Sequence, residues 1–121
     1  MFKITHKHFK EYQLGVNDCW TLVQDIYREN SIELPAYVDV NSAKKRKDFK
    51  TFIIDNVEYT EVDKIARGVI ILFDSNPYHC GVAVDSKNMI HRAENINTRV
   101  ERIETYGKKI KGLYLVKKKN I

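Results

Sequence analysis

The chain has 121 residues, of which 43% are hydrophobic and 31% charged, with a formal net charge of +5. That is the size of one domain with apolar content enough for its own core, which excludes both a disulfide-stapled miniprotein and a disordered chain. Two cysteines make no disulfide framework, and no stretch approaches the ~20 apolar residues of a membrane span.

The opening "MFKITHKHFK" has no apolar h-region. No secretory signal is expected, and the protein reads as made in the cytoplasm, with any extracellular site reached by another route. Positive charge is concentrated in "AKKRKDFK" and in the tail "LVKKKNI". Such clusters favour polyanions of any kind, from nucleic acid to anionic wall polymers. They lack interleaved aromatic residues or a recognisable nucleic-acid module, so nucleic acid is not the expected partner.

The first expected helix runs from Cys19 to Asn30. Cys19, Leu22, Val23, Ile26 and Tyr27 fall on one face at helical spacing, Asn17 or Asp18 can serve as N-cap, and Pro35 ends the segment. A second helix is expected over Ser42 to Asp55, where Phe49, Phe52 and Ile53 share a face and the lysines share another. The pattern then changes to strands. "RGVIILFDS" is a buried run opened by Gly68, and "HCGVAVD" and "NMIHRAE" are short strands joined across an "SK" turn. "NTRVERIE" alternates as a further strand and "KGLYLVKK" reads as the last. Helices followed by a block of antiparallel strands make an α+β layout with one sheet, and one domain over residues 1–121.

Cys19 stands at the mouth of the first helix. A free thiol ionises near ~8.5, and a helix start together with a neighbouring imidazolium brings that to roughly 3.5–7.5. The helix alone contributes only ~0.3–1 kcal/mol, less than one pH unit. A histidine partner is therefore required for chemistry. His6 and His8 lie in the polar stretch before the helix and read as surface residues. His79 opens one strand and His91 sits near the end of the next, so pairing across the "SK" turn brings both imidazoles to one side of the sheet. Thiol, base and orienting group make the set that cysteine hydrolases need. If His79 faces the helix, alternation turns Cys80 away from it, as a small apolar residue with no bridge to Cys19. The bland alternatives are a buried helix cysteine packed beside Leu22 and Val23, and two strand histidines satisfied by backbone carbonyls.

These residues also match a known pattern. "NDCWTLVQDIYRENSIELP" resembles the nucleophile helix of NlpC-type peptidases (the NlpC/p-sixty family), papain-like bacterial cysteine hydrolases. "ARGVIILFDSNPYHCGVAVDSKNMIHRAE" resembles their second half, a hydrophobic run, a His-x-Gly strand, a turn, and a strand carrying a polar third residue. The resemblance spans roughly Tyr12 to Glu94 and implies a papain-like fold with N-terminal helices packed on one antiparallel sheet. It implies Cys19 as nucleophile, His79 as general base and His91 as the orienting residue, with no metal or organic cofactor. Tyr12 matches a tyrosine that lines the site and whose hydroxyl could meet the developing oxyanion. Asp18 matches the aspartate before the nucleophile, which caps the helix or meets a substrate amine, capping being the blander role. The Trp after the nucleophile is most similar to NlpC-type domains of phage tail-assembly proteins. Two departures stand out: Val69 follows Gly68 where an Asp is usual, and Trp20-Thr21 replaces a small pair.

The expected activity is cleavage of peptidoglycan stem peptides at the bond from D-glutamate to the diamino acid. In a phage tail this would help passage through the cell wall, with other tail proteins as partners. Two rivals remain at this level: a wall-binding or structural tail module with little or no turnover, and a papain-like amidase or acyltransferase with another substrate.

Overall fold

The computed structural model describes residues 2–5, 18–34, 59–74, 79–93 and 97–116. Helix α1 spans Cys19–Glu29. The strands that follow are β1 (Tyr59–Glu61), β2 (Ile70–Phe73), β3 (His79–Ala83), β4 (Asn88–Ala93), β5 (Asn97–Arg102) and β6 (Ile110–Val116), with a 3-10 helix over Ile103–Lys109 before β6. The six strands form one sheet in the order β1-β6-β2-β3-β4-β5, and every pairing is antiparallel. The expected α+β architecture is therefore observed. The expected second helix over residues 42–55 lies outside the described residues. Strand β1, a three-residue edge strand with two exposed positions, was not anticipated, because its "YTE" carries too little apolar alternation to announce itself.

The sheet has two buried faces. On one, α1 lays Trp20, Leu22, Val23, Ile26 and Tyr27 against Ile70, Leu72, Cys80, Val82, Ile90, Tyr114 and Val116. On the other, Val69, Ile71, Phe73, Ala83 and Met89 pack with Ile103 of the 3-10 helix, bordered by Val62, Ile65, Tyr106 and Ile110. Strand β2 lies between both layers, so all four of its residues are buried, which is why "IILF" is a continuous apolar run and not an alternating one. Each such side chain removed from water contributes ~1.5–3 kcal/mol.

The helix is set by its ends. Asp18 Oδ1 accepts from the backbone N–H of Thr21 at 2.9 Å while Thr21 Oγ1 accepts from that of Asp18 at 2.7 Å, a reciprocal capping box. Of the two possible caps, Asp18 fills the role. Asn30 closes the last turn and also ties down the N-terminal segment: its Nδ2 donates to Lys3 O at 3.0 Å and its Oδ1 accepts from Lys3 N at 2.6 Å. Beside it the Phe2 ring meets Tyr27 edge-on at 5.1 Å. The Tyr27 hydroxyl donates to the carbonyl of Gly68, fastening α1 to the turn before β2. Gly68 has φ +96, and a Cβ there would meet the Phe2 ring at 3.0 Å, so only glycine fits.

Candidate active site

Cys19 occupies the first turn of α1 and is half-buried over the start of β3. Its sulfur lies within hydrogen-bonding reach of the Cys80 thiol and of the His79 imidazole. Both contacts favour the thiolate and, together with the charge of His79, hold the Cys19 thiol well below its ordinary range. Burial and the nearby Asp18 carboxylate oppose them without prevailing. Cys80 behaves oppositely: burial and the neighbouring Cys19 push it well above the usual thiol value, so it stays protonated and donates. Both cysteines are free.

Cys80 is therefore not where strand alternation placed it. It lies on the helix-facing side, fully buried among Val82, Ile90 and Leu72. His79, pairing with Phe73, and His91, pairing with Gly81, belong to the opposite face. The expectation that His79 and the helix must share a face fails for a simple reason. His79 is the first residue of β3 and Cys19 sits at the helix mouth above that strand end, so the imidazole is reached past the end of the strand while Cys80 lies beneath.

The two imidazoles do meet. His79 Nε2 lies 2.9 Å from His91 Nδ1, leaving His79 Nδ1 as the ring nitrogen for Cys19. His91 is 1% exposed, and its Nε2 lies 2.8 Å from Glu101 Oε1. Phe73 stacks on His79 at 5.7 Å, and Tyr106 meets both Phe73 and His91 edge-on at 5.7 and 5.6 Å. This aromatic enclosure fixes both rings. Burial holds His91 below the ordinary imidazole range against the pull of Glu101, while the nearby His79 and Arg99 push it the same way as burial.

Sequence reasoning passed over Glu101 and Tyr106. Met89 pairs with Glu101 and His91 with Arg99, so Glu101 is the diagonal neighbour of His91 on the same face, within reach of a long side chain. The only signal available was the pair of asparagines, Asn95 and Asn97, between the two strand patterns, and it does not specify the register. A slip of one residue would send Glu101 to the other face. Arg92 was also unforeseen. It faces the helix at 0% exposure, donates from Nε to Thr98 Oγ1, and lies within electrostatic reach of Asp25, Asp18 and Cys19.

Of the remaining expected site residues, Asp18 is 4% exposed and caps α1. Tyr12 lies outside the described residues, as do His6 and His8. Of the departures from the family pattern, Trp20 is 1% exposed in the core on the helix side of the sheet and Val69 is 3% exposed on the far face, while Thr21 is half-buried and completes the capping box. Among the described residues no group of three or more His, Cys, Asp and Glu side chains is arranged to hold a metal ion, and no helix is long and apolar enough to cross a membrane.

The geometry can therefore deliver an ionised sulfur beside an imidazole that is itself held by a second imidazole, which is the requirement for nucleophilic attack on a carbonyl followed by protonation of the leaving group. Comparison with known families agrees. The sequence profile described as the NlpC/P60 family matches residues 9–115. No curated protein matches the chain.

Proposed function

The chain belongs to the NlpC/P60 family, papain-like cysteine peptidases and amidases that act on peptidoglycan peptides, and on that premise we propose that it is a cysteine endopeptidase of the cell wall with Cys19 as nucleophile, His79 as base and His91 as orienting residue. The observation that carries this reading is the 2.9 Å contact between the His79 and His91 imidazoles, with Cys19 within hydrogen-bonding reach of His79.

In this mechanism the Cys19 thiolate attacks the carbonyl carbon of a stem-peptide amide. The negative charge that develops on the carbonyl oxygen is met by the Cys19 backbone N–H at the helix start, with the Tyr12 hydroxyl as second donor. The protonated His79 gives its proton to the leaving amine, the C–N bond breaks, and a thioester remains on Cys19. Water, deprotonated by His79, then attacks the thioester and regenerates the thiolate with release of the acid. The reaction needs neither a metal nor an organic cofactor. The bond assigned is that from D-glutamate to the diamino acid. One domain over residues 1–121 performs the whole reaction.

The Trp after the nucleophile supports placing this domain in a phage tail, where it would open a passage through the wall beside other tail proteins. The burial of Trp20 and Val69 in the core supports turnover over a purely structural module, since both side chains are accounted for by packing.

Turnover of purified muropeptides by the parent and by Cys19→Ala tests the reading. The parent is expected to release the D-glutamyl product and the variant to lose on the order of 10⁶-fold in kcat, the scale of a lost nucleophile in a triad hydrolase. Equal product from both would contradict it.

A further inference from the structure

We infer that Glu101 is a positioning residue that sets the tautomer of both imidazoles, so that His79 presents an unprotonated Nδ1 to Cys19. The inference rests on the reading of Cys19 as nucleophile and His79 as base, and adds a residue that the family resemblance does not carry.

Proton positions along this line of ring nitrogens are linked one to the next. A neutral imidazole has one N–H and one lone pair, and either nitrogen can carry the proton. Two imidazoles joined nitrogen to nitrogen can therefore point their donors in either of two directions. In one direction His79 Nδ1 is a lone pair and accepts the thiol proton. In the other His79 Nδ1 carries the hydrogen, and the base cannot take a proton from sulfur. An ionised carboxylate ends the ambiguity because it offers only acceptors. With Glu101 Oε1 at 2.8 Å, His91 Nε2 must carry the proton. His91 Nδ1 is then the acceptor, so His79 Nε2 at 2.9 Å must donate to it. The lone pair of His79 is left on Nδ1, facing Cys19. One proton then moves on activation, from Sγ to Nδ1, and His79 as imidazolium keeps donating from Nε2 to His91.

Glu101 is itself held for this task. The Tyr106 hydroxyl, from the 3-10 helix, is shared between the two carboxylate oxygens at 3.3 and 3.4 Å. Arg99, two residues earlier on β5, brings Nε to 3.9 Å from Oε1. Burial and the adjacent Glu101 carboxylate keep the Tyr106 phenol above its ordinary range, so it remains a donor. The charged and titratable groups around the pair are His91 on β4, Arg99 on β5 and Tyr106 on the 3-10 helix, with His79 beyond His91. Met89, directly opposite Glu101, adds none.

Nitrogen NMR of ring-labelled histidine decides the matter. It is read in a Cys19→Ala background, where His79 has no thiol to deprotonate. With Glu101 present, both His79 and His91 are expected as the Nε2–H form. Glu101→Ala is expected to convert both signals to mixtures of the two tautomers, with Glu101→Gln intermediate because an amide offers a donor as well as an acceptor. Ring signals unchanged in both variants, or an Nδ1–H form of His91 in the presence of Glu101, would overturn the inference. A residue that merely packs would leave the tautomers of Glu101→Gln as they are. With Cys19 restored, Glu101→Ala is expected to lower kcat on muropeptides by about 10–100-fold, the scale of lost supporting hydrogen bonds elsewhere, with KM unchanged. Absence of muropeptide turnover in the parent alongside the expected tautomers would sink the functional reading and leave the tautomer assignment standing.

Discussion

His91 shows how burial and hydrogen bonding divide the work at a single residue. Its ring is 1% exposed, and burial holds it below the usual imidazole range, reinforced by His79 and Arg99 and opposed by Glu101. A neutral His91 is what an orienting residue requires, since the doubly protonated ring would have no lone pair for His79 Nε2. The sign of the linkage follows. Between the lowered folded value and the unfolded value of ~6.5, the unfolded chain binds a proton that the folded chain does not, so stability falls as pH drops through that window. The lowered Cys19 thiol acts in the same sense, its stabilising contribution being complete above the unfolded thiol value and lost as pH falls through the folded one. Replacing His91 with Asn keeps a polar side chain and removes one titration. Thermal melts between about pH 7.5 and pH 5 are expected to show a shallower fall for His91→Asn than for the parent, and parallel curves would contradict the assignment. Cys80 carries the residue-scale lesson. Its place beneath Cys19 was misread from alternation alone, because alternation fixes a face but not how far along the strand a helix end reaches.

Among the elements, α1 was the most legible. Its apolar stripe, the Asp-Cys start and the terminal Asn all appear in "NDCWTLVQDIYREN", and the helix runs Cys19–Glu29 with Asp18 and Asn30 as caps. The Thr21 half of the capping box was the part left unread, since Thr replaces the Glu or Gln that marks the motif in sequence. Truncating the cap is the direct check. Asp18→Ala is expected to lower the unfolding free energy by ~1 kcal/mol, and Asp18→Asn, which preserves the acceptor, by much less. Chemical denaturation of the two variants measures this. The β3–β4 hairpin was equally readable from "HCGVAVDSKNMIHRAE": its strands are His79–Ala83 and Asn88–Ala93, and Asp85 Oδ1 accepts from Lys87 N and Asn88 N in the turn. Strand β5 was legible as an element but not in register, and register is what delivers Glu101 to His91. The 3-10 helix that carries Tyr106 gave no periodic signal, as expected of an element of so few turns.

At the scale of the whole molecule, the site exists because the sheet is covered on both faces. Helix α1 brings the sulfur from one side, and the opposite face carries the imidazoles, the carboxylate and the Tyr106 ring that encloses them. The meeting point is the end of β3, where a strand's first residue is accessible from either side. The α+β class was legible from the order of patterns, and the meeting of His79 with His91 from strand pairing across the "SK" turn. The approach of Cys19 from the opposite face was not, because it depends on long-range packing between residues ~60–70 apart in sequence, which local periodicity does not encode.

That convergence is tested most directly by the pH profile of Cys19 alkylation with iodoacetamide, followed by mass mapping of the labelled peptide in the folded chain and in the same chain unfolded in urea. The midpoint of the profile is the quantity to compare, since intrinsic nucleophilicity falls as the thiol becomes more acidic. In the unfolded chain the midpoint is expected near the free value of ~8.5. In the folded protein it is expected well below that, with Cys80 unlabelled throughout. Coincident midpoints for folded and unfolded Cys19 would mean that folding does not prime the sulfur, and would contradict the account.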